Sequence, residues 1–436
     1  MTASVESSKV AAKRSGLFRT PDGKSMFATF VLVTTLFLLW GFCNGMIDIL
    51  NKHFQSTLHI NKYQSGFVQS ANYMAYFLMA IPAGLLARRF GYKGGIIIGL
   101  VLIAMGAFWF IPATRIGTYW AFLTGLFVLA AGMTCLETIA NPYTTVLGPV
   151  ESGATRINIA QTFNGIGWIL GPVVGGYFVF GGGHGGGANA GLYIPYFGIG
   201  IVVAVLIAIF AFAYVPDLRA EDEVKTTAGG RIKKPLWRRW HFTLGVMTQF
   251  LYVAAQSGIF GFFINYVLEN NHSVTEKQAS TWLGLFGFGL FMVGRLCGSV
   301  VVSVTKPNLA LALYAAINVV LCVITMGGGQ LGLYALLGTF FFMSIMFPTI
   351  FALGIRGLGE HTKLGSSLIV MSIVGGAIAP PLMGHIADVS SMRIGFFVPL
   401  ACFALIACYG VFWPRLEAKD AGATQRRAWG HRVEAV

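Results

Sequence analysis

The strongest constraint in this sequence is the recurrence of apolar runs about 20 residues long. A helix of that length crosses about 30 Å of hydrocarbon at 1.5 Å per residue. Twelve such runs fit along the chain, over 26–50, 63–87, 94–113, 117–145, 157–180, 192–215, 241–268, 279–304, 308–327, 331–355, 364–388 and 393–414. Inside a bilayer each run must satisfy its own backbone hydrogen bonds, which a helix does. The expected fold class is therefore an all-α integral membrane protein with twelve transmembrane helices. Composition agrees, since 56% of the 436 residues are apolar and only 11% are charged, where a soluble chain carries about 25%. The first 25 residues are polar and basic without a short apolar core or cleavage site, so no signal peptide is expected.

The positive charges divide unevenly between the two sides of such a bundle. With the N-terminus inside, 24 of the 30 Lys and Arg fall on inner segments and 5 on outer loops (Lys52, Lys62, Arg115, Lys277, Arg393), leaving Arg295 within a span. That asymmetry predicts cytoplasmic N- and C-termini. The net charge of +14 then belongs to loops facing anionic headgroups of the lipid bilayer, and no nucleic acid is needed as a partner. All six cysteines lie in predicted spans without a CxxC pair, which makes them small packing residues.

The longest polar interruption, residues 216–240, splits the spans six and six. The halves echo each other: "NPYTTVLG" (141–148) and "FPTIFALG" (347–354) share Pro, Leu and Gly at an offset of 206, and "GPVVG" (171–175) and "PPLMG" (380–384) recur at 209. Such repeats are a common way to build a transporter. The expected organisation is an N-terminal tail (1–25), a six-helix bundle (26–215), a cytoplasmic linker (216–240), a second, pseudo-symmetric bundle (241–414) and a C-terminal tail (415–436). Gly95/Gly99, Gly171/Gly175 and Gly294/Gly298 form GxxxG pairs suited to close helix packing. The glycine-rich stretch 181–191, with His184, lacks the Lys-Ser/Thr of a phosphate loop and reads as a connector.

Ionisable residues between helix ends are scarce: Asp48, Glu137, Arg295 and Arg356. A carboxylate at mid-membrane costs roughly 2.5 to 3.5 kcal/mol on insertion scales, so it must face water, hold a proton or pair. Asn44, Asp48 and Asn51 stand at i, i+4 and i+7 and so share one helical face, which fits a lined pathway. A helix end that has already reached water is the alternative. Glu137 sits in the largely apolar "TCLETIANPY" (134–143), with Asn141 one turn on and Pro142 unable to donate to the Thr138 carbonyl. It reads as a cavity acid or as an interhelical hydrogen-bond partner. In "RINIAQTFNGIG" (156–167), Gln161 and Asn164 offer amide donors and acceptors of the kind hydroxyl-rich ligands need. Gln69, Tyr73 and Tyr76, and Gln249, Tyr252 and Gln256, follow helical spacing and serve equally well as helix glue or as ligand contacts. Arg295 either neutralises an acid or holds its helix. No catalytic motif and no metal-ligand spacing is present, so neither an enzyme nor a cofactor is expected.

These residues carry a resemblance. "GLLARRFGYK" (84–93) is loosely similar to the loop between spans two and three of the major facilitator superfamily. Arg88 takes the pattern's acidic position and Tyr92 the first of its final basic pair. More specifically, "MIDIL", "CLETIANPYTTVLGP", "RINIAQTFNGIG", "QFLYVAAQ", "FPTIFALGI" and "TKLGSSLIVMSIVGGAIAPPLMG" resemble the fucose, galactose and glucose symporter family, in particular its L-fucose/proton group, over nearly all spans. The resemblance implies the major facilitator fold and uptake of a monosaccharide with protons across a bacterial inner membrane, by a functional monomer. It makes Asp48 and Glu137 the proton-coupling acids and places Glu137, Gln161, Asn164, Gln256 and Phe347 at the sugar, to which the Asp48 face and the turn beyond Glu137 add Asn44 and Asn141 as candidates. Phe347 stands where the fucose permease has Tyr, which leaves fucose, galactose and glucose open. Sodium coupling is the alternative within transport, and a non-transporting sugar sensor the alternative outside it.

Overall fold

The computed structural model describes residues 17–19, 24–149, 153–180, 190–216, 236–358 and 362–433. Most of the N-terminal tail, residues 217–235 of the linker and residues 181–189 of the glycine-rich connector, His184 among them, lie outside these.

The described residues are almost entirely helical. Eleven helices are long and apolar enough to cross a membrane: α1 Phe27–Leu58, α2 Lys62–Ala87, α3 Arg89–Ile116, α4 Tyr119–Thr144, α6 Leu192–Phe212, α7 Trp240–Asn270, α8 Glu276–Val302, α9 Pro307–Gly327, α10 Gly329–Ile355, α11 Gly365–Val389 and α12 Met392–Asp420. A twelfth, α5 Gly153–Val179, occupies the remaining predicted span and carries its amides. Every predicted span is thus a helix. Helix α1 runs past residue 50 to Leu58, so Asp48 stands ten residues before its end.

Local chemistry sets the breaks. Gly91, at φ 72°, kinks the chain just after α3 begins, and Gly328, at φ 75°, separates α9 from α10; both are left-handed conformations that favour glycine. Before α2, Asn61 accepts from the Gln64 backbone while the Gln64 side chain accepts from the Asn61 N–H, a capping box. Thr275 and Gln278 repeat that arrangement at the start of α8.

Contacts divide the chain into two units. One comprises residues through Ile47 together with Leu78–Val224, the other Asp48–Phe77 together with Lys225–Val436. In the first unit small residues bring helices close: a Cβ on Gly45 of α1 would fall 2.8 Å from the Trp168 carbonyl oxygen of α5, and one on Gly99 of α3 would fall 3.0 Å from Cys135 of α4. In the second unit Phe260, Phe263, Phe288 and Phe340 interlock, Phe260 stacking on Phe340 at 4.9 Å. There, at the start of α7, the buried His241 meets Asp420 through Nδ1 at 2.8 Å and the Arg356 carbonyl through Nε2 at 2.9 Å, tying α7, α10 and α12 together.

The division departs from chain order at residues 48–77, which precede the linker yet pack with α7 and α11. The cause is polar as well as steric. Asn51 donates to the Gly261 carbonyl at 2.9 Å, and Gln55 and Asn265 exchange amide hydrogen bonds. The Lys62 Nζ reaches Glu269 at 3.1 Å, and Asp388 accepts from the backbone N–H groups of Lys62 and Tyr63 at 3.0 and 2.8 Å. A Cβ on Gly66 would fall 2.6 Å from the Pro381 nitrogen. The sequence division at 215 and 241 follows the duplicated pattern, whereas this one follows contact.

Candidate functional site

In the first unit, helices α1, α4 and α5 assemble most of the predicted polar set. Glu137 is half-buried on α4 and lines a pocket with Leu36, Phe37, Trp40, Leu136 and Ala140. Its carboxylate forms no hydrogen bond or ion pair with the described residues, which leaves both oxygens for a ligand or a proton. One turn further, Asn141 Oδ1 accepts from Gln161 Nε2 at 3.1 Å, joining α4 to α5. Asn164 is buried and donates to the Phe37 carbonyl at 3.2 Å, holding α5 against the α1 turn that carries Trp40. The Asn44 amide donates to the Trp40 carbonyl of its own helix at 3.0 Å and lies 3.7 Å from the Met133 sulfur. Both are spoken for within the fold; Glu137 and the half-buried Asn141 and Gln161 present the open groups.

The second unit holds Asp48, Gln256 and Phe347. Asp48 is 4% exposed, with Oδ1 accepting from Gln69 Nε2 at 2.6 Å and Oδ2 without a hydrogen-bond partner. The solvated helix end is thereby ruled out, because α1 continues to Leu58 and the carboxyl is enclosed by protein. In the first unit Asn44 meets α4, whereas in the second Asp48 and Asn51 are bonded to α2 and α7. The Gln69 amide is the one hydrogen-bond partner of this carboxyl among the described residues. Gln256 is half-buried on α7, and its amide bonds to none of the described residues. One turn before it, Tyr252 donates to the Met343 carbonyl at 3.0 Å and meets the Phe347 ring edge-on at 6.2 Å. Phe347 thus packs its ring against Tyr252 and, unlike a tyrosine, has no hydroxyl to offer. Arg295 forms no ion pair among the described residues and lies over the Phe291 ring at 5.0 Å, which favours its role in holding the helix.

Sequence reasoning missed Trp40, hidden in an apolar run with nothing to separate it from a lipid-facing tryptophan. It placed Gln69 on a polar face without assigning it to Asp48.

Eleven apolar helices of spanning length, α5 over the remaining predicted span and an unpaired acid lining a pocket with α1 residues fit a membrane carrier. The chain belongs to the Major Facilitator Superfamily, whose profile it matches over residues 26–372. It is 37% identical to the L-fucose-proton symporter of Escherichia coli over 413 residues, covering 90% of this chain and 94% of that protein. It is 36% identical to a glucose/galactose transporter of Brucella abortus, covering 87% and 92%. The crystal structure of an asparagine-to-alanine variant of the E. coli fucose:proton symporter superposes with a TM-score of 0.65 at 36% identity, over 89% of this chain and 99% of that one. The chain is thus a multi-pass membrane transporter and not an enzyme.

Proposed function

We propose that this protein carries a monosaccharide, L-fucose or a related hexose such as galactose or glucose, together with protons by alternating access. The observation that carries the reading is the unpaired Glu137 carboxylate in a pocket walled by Trp40, beside the Asn141–Gln161 amide pair. Sugar hydroxyls both donate and accept, the carboxylate takes donors, and the amides take either. An indole covers the apolar C–H face of a pyranose. Gln256 and Phe347 are assigned to the sugar as well, as are Asn44 and Asn164, which brace the Trp40 turn.

Asp48 and Glu137 couple the proton. An ionised carboxylate inside the membrane is costly to enclose, so protonation lets the chain close around the sugar. Opening on the other side rehydrates the acid and returns its proton, and two six-helix halves rocking about a fixed site supply the motion. The positive-charge asymmetry supports cytoplasmic termini in a bacterial inner membrane, and the substrate path lies within one chain, a functional monomer.

The test is sugar uptake by reconstituted protein carrying Asp48→Asn or Glu137→Gln. Both variants are expected to lose accumulation driven by a proton gradient. Asp48→Asn should keep sugar counterflow, which moves no net proton, while Glu137→Gln should weaken counterflow as well. Accumulation left intact in both variants would sink the assignment.

A further inference from the structure

Beyond the acid itself, the structure carries an arrangement around Asp48 that links its proton to the packing of one segment. Gln69 of α2 donates through Nε2 to Asp48 Oδ1 at 2.6 Å. The same side chain lies against Gly261 of α7, where a Cβ would fall 3.4 Å from Gln69 Nε2 and 2.7 Å from Asn51 Nδ2. Asn51, one turn beyond Asp48, donates to the Gly261 carbonyl at 2.9 Å. Gly261 therefore supplies an acceptor and an unfilled space, and residues 48–77 settle into both.

We propose that Gln69 is a positioning residue that joins protonation of Asp48 to the docking of residues 48–77 on α7. This rests on the reading of Asp48 as a proton carrier. By occupying Oδ1, Gln69 leaves Oδ2, buried and without a partner, as the atom where the proton is taken and released.

No compensating charge stands nearby. On α1, Lys52 pairs with Glu276 at 3.4 Å, and the buried His53 packs against Phe54. On α2, Lys62 pairs with Glu269 of α7. On α11, Asp388 caps the first turn of α2 and His385 meets the Tyr63 ring. No ion pair among the described residues includes Asp48. With one neutral donor and no cation, the docked segment holds a protonated Asp48 well and an ionised one poorly. Docking is therefore favoured at low pH and weakened as pH rises. Gln69 makes the ionised form less unfavourable than it would otherwise be, and so sets the pH at which the segment lets go.

The experiment is a pulsed EPR distance between nitroxides at His59→Cys and His272→Cys, two exposed positions beyond the ends of α1 and α7. It uses the full chain in proteoliposomes, with the two exposed native cysteines replaced (Cys297→Ser, Cys408→Ser). The short, docked distance is expected to lose population as pH is raised from about 5.5 to 8.5. Asp48→Asn should hold it populated throughout. Gln69→Met, which keeps volume and removes the donor, should move the midpoint to lower pH by about one unit, as losing a hydrogen bond to a charged group implies. In the Asp48→Asn background Gln69→Met should have no pH-dependent effect. Gly261→Ala serves as the steric control and should lower docking equally at every pH. A Gln69→Met loss of docking by the same factor at all pH values, with or without Asp48, would reduce Gln69 to helix glue and overturn the inference. An undiminished pH response in Asp48→Asn would instead remove the reading of Asp48 beneath it.

Discussion

Arg156 counts in the sequence as one more positive charge in a short loop, yet its side chain is fully buried. Its guanidinium donates to the backbone carbonyls of Thr144, Leu17 and Pro149 at 2.9 to 3.0 Å, so a single residue closes the end of α4 against α5. Replacement by methionine leaves three carbonyls unsatisfied at a cost of roughly 1 to 3 kcal/mol for each buried group. Arg156→Met is expected to lower the melting temperature of the purified protein by several degrees, with Arg156→Lys recovering only part because an ammonium lacks the planar fork. Intact thermal stability in both variants would contradict that role. At this scale the sequence was legible where a residue was chemically out of place: Asp48 and Glu137 stand out because acids are expensive among apolar neighbours. Trp40 and Arg156 were not legible, since a tryptophan in an apolar run and an arginine in a loop are each ordinary where they stand.

At the level of helices, the spans followed from hydropathy alone, because length and apolarity are local properties of the chain. What holds a span in place is not local. The first turn of α2 is capped by Asp388, 326 residues further along, which accepts the N–H groups that the helix cannot satisfy itself. No periodicity in either segment announces that pairing, and the same holds for Asn51 with Gly261 and Gln55 with Asn265. Loss of a helix N-terminal acceptor costs about 1 kcal/mol. Asp388→Ala is therefore expected to speed amide hydrogen exchange at residues 62–66 by roughly fivefold while leaving α4 and α5 unchanged. Equal protection in the variant and the native protein would show that other contacts hold this turn.

Over the whole molecule, the helical membrane plan was readable because the spans recur as apolar runs of similar length. The contact units were not, because residues 48–77 precede the linker yet pack with α7 and α11. The central claim, proton-coupled sugar symport, is tested most directly by accumulation of labelled fucose, galactose and glucose in proteoliposomes, acidic outside, with choline replacing sodium. The account predicts that at least one of these sugars accumulates above equilibrium while the pH gradient lasts and leaks out when a protonophore collapses it. Accumulation that ignores the pH gradient and appears only with an inward sodium gradient would contradict it.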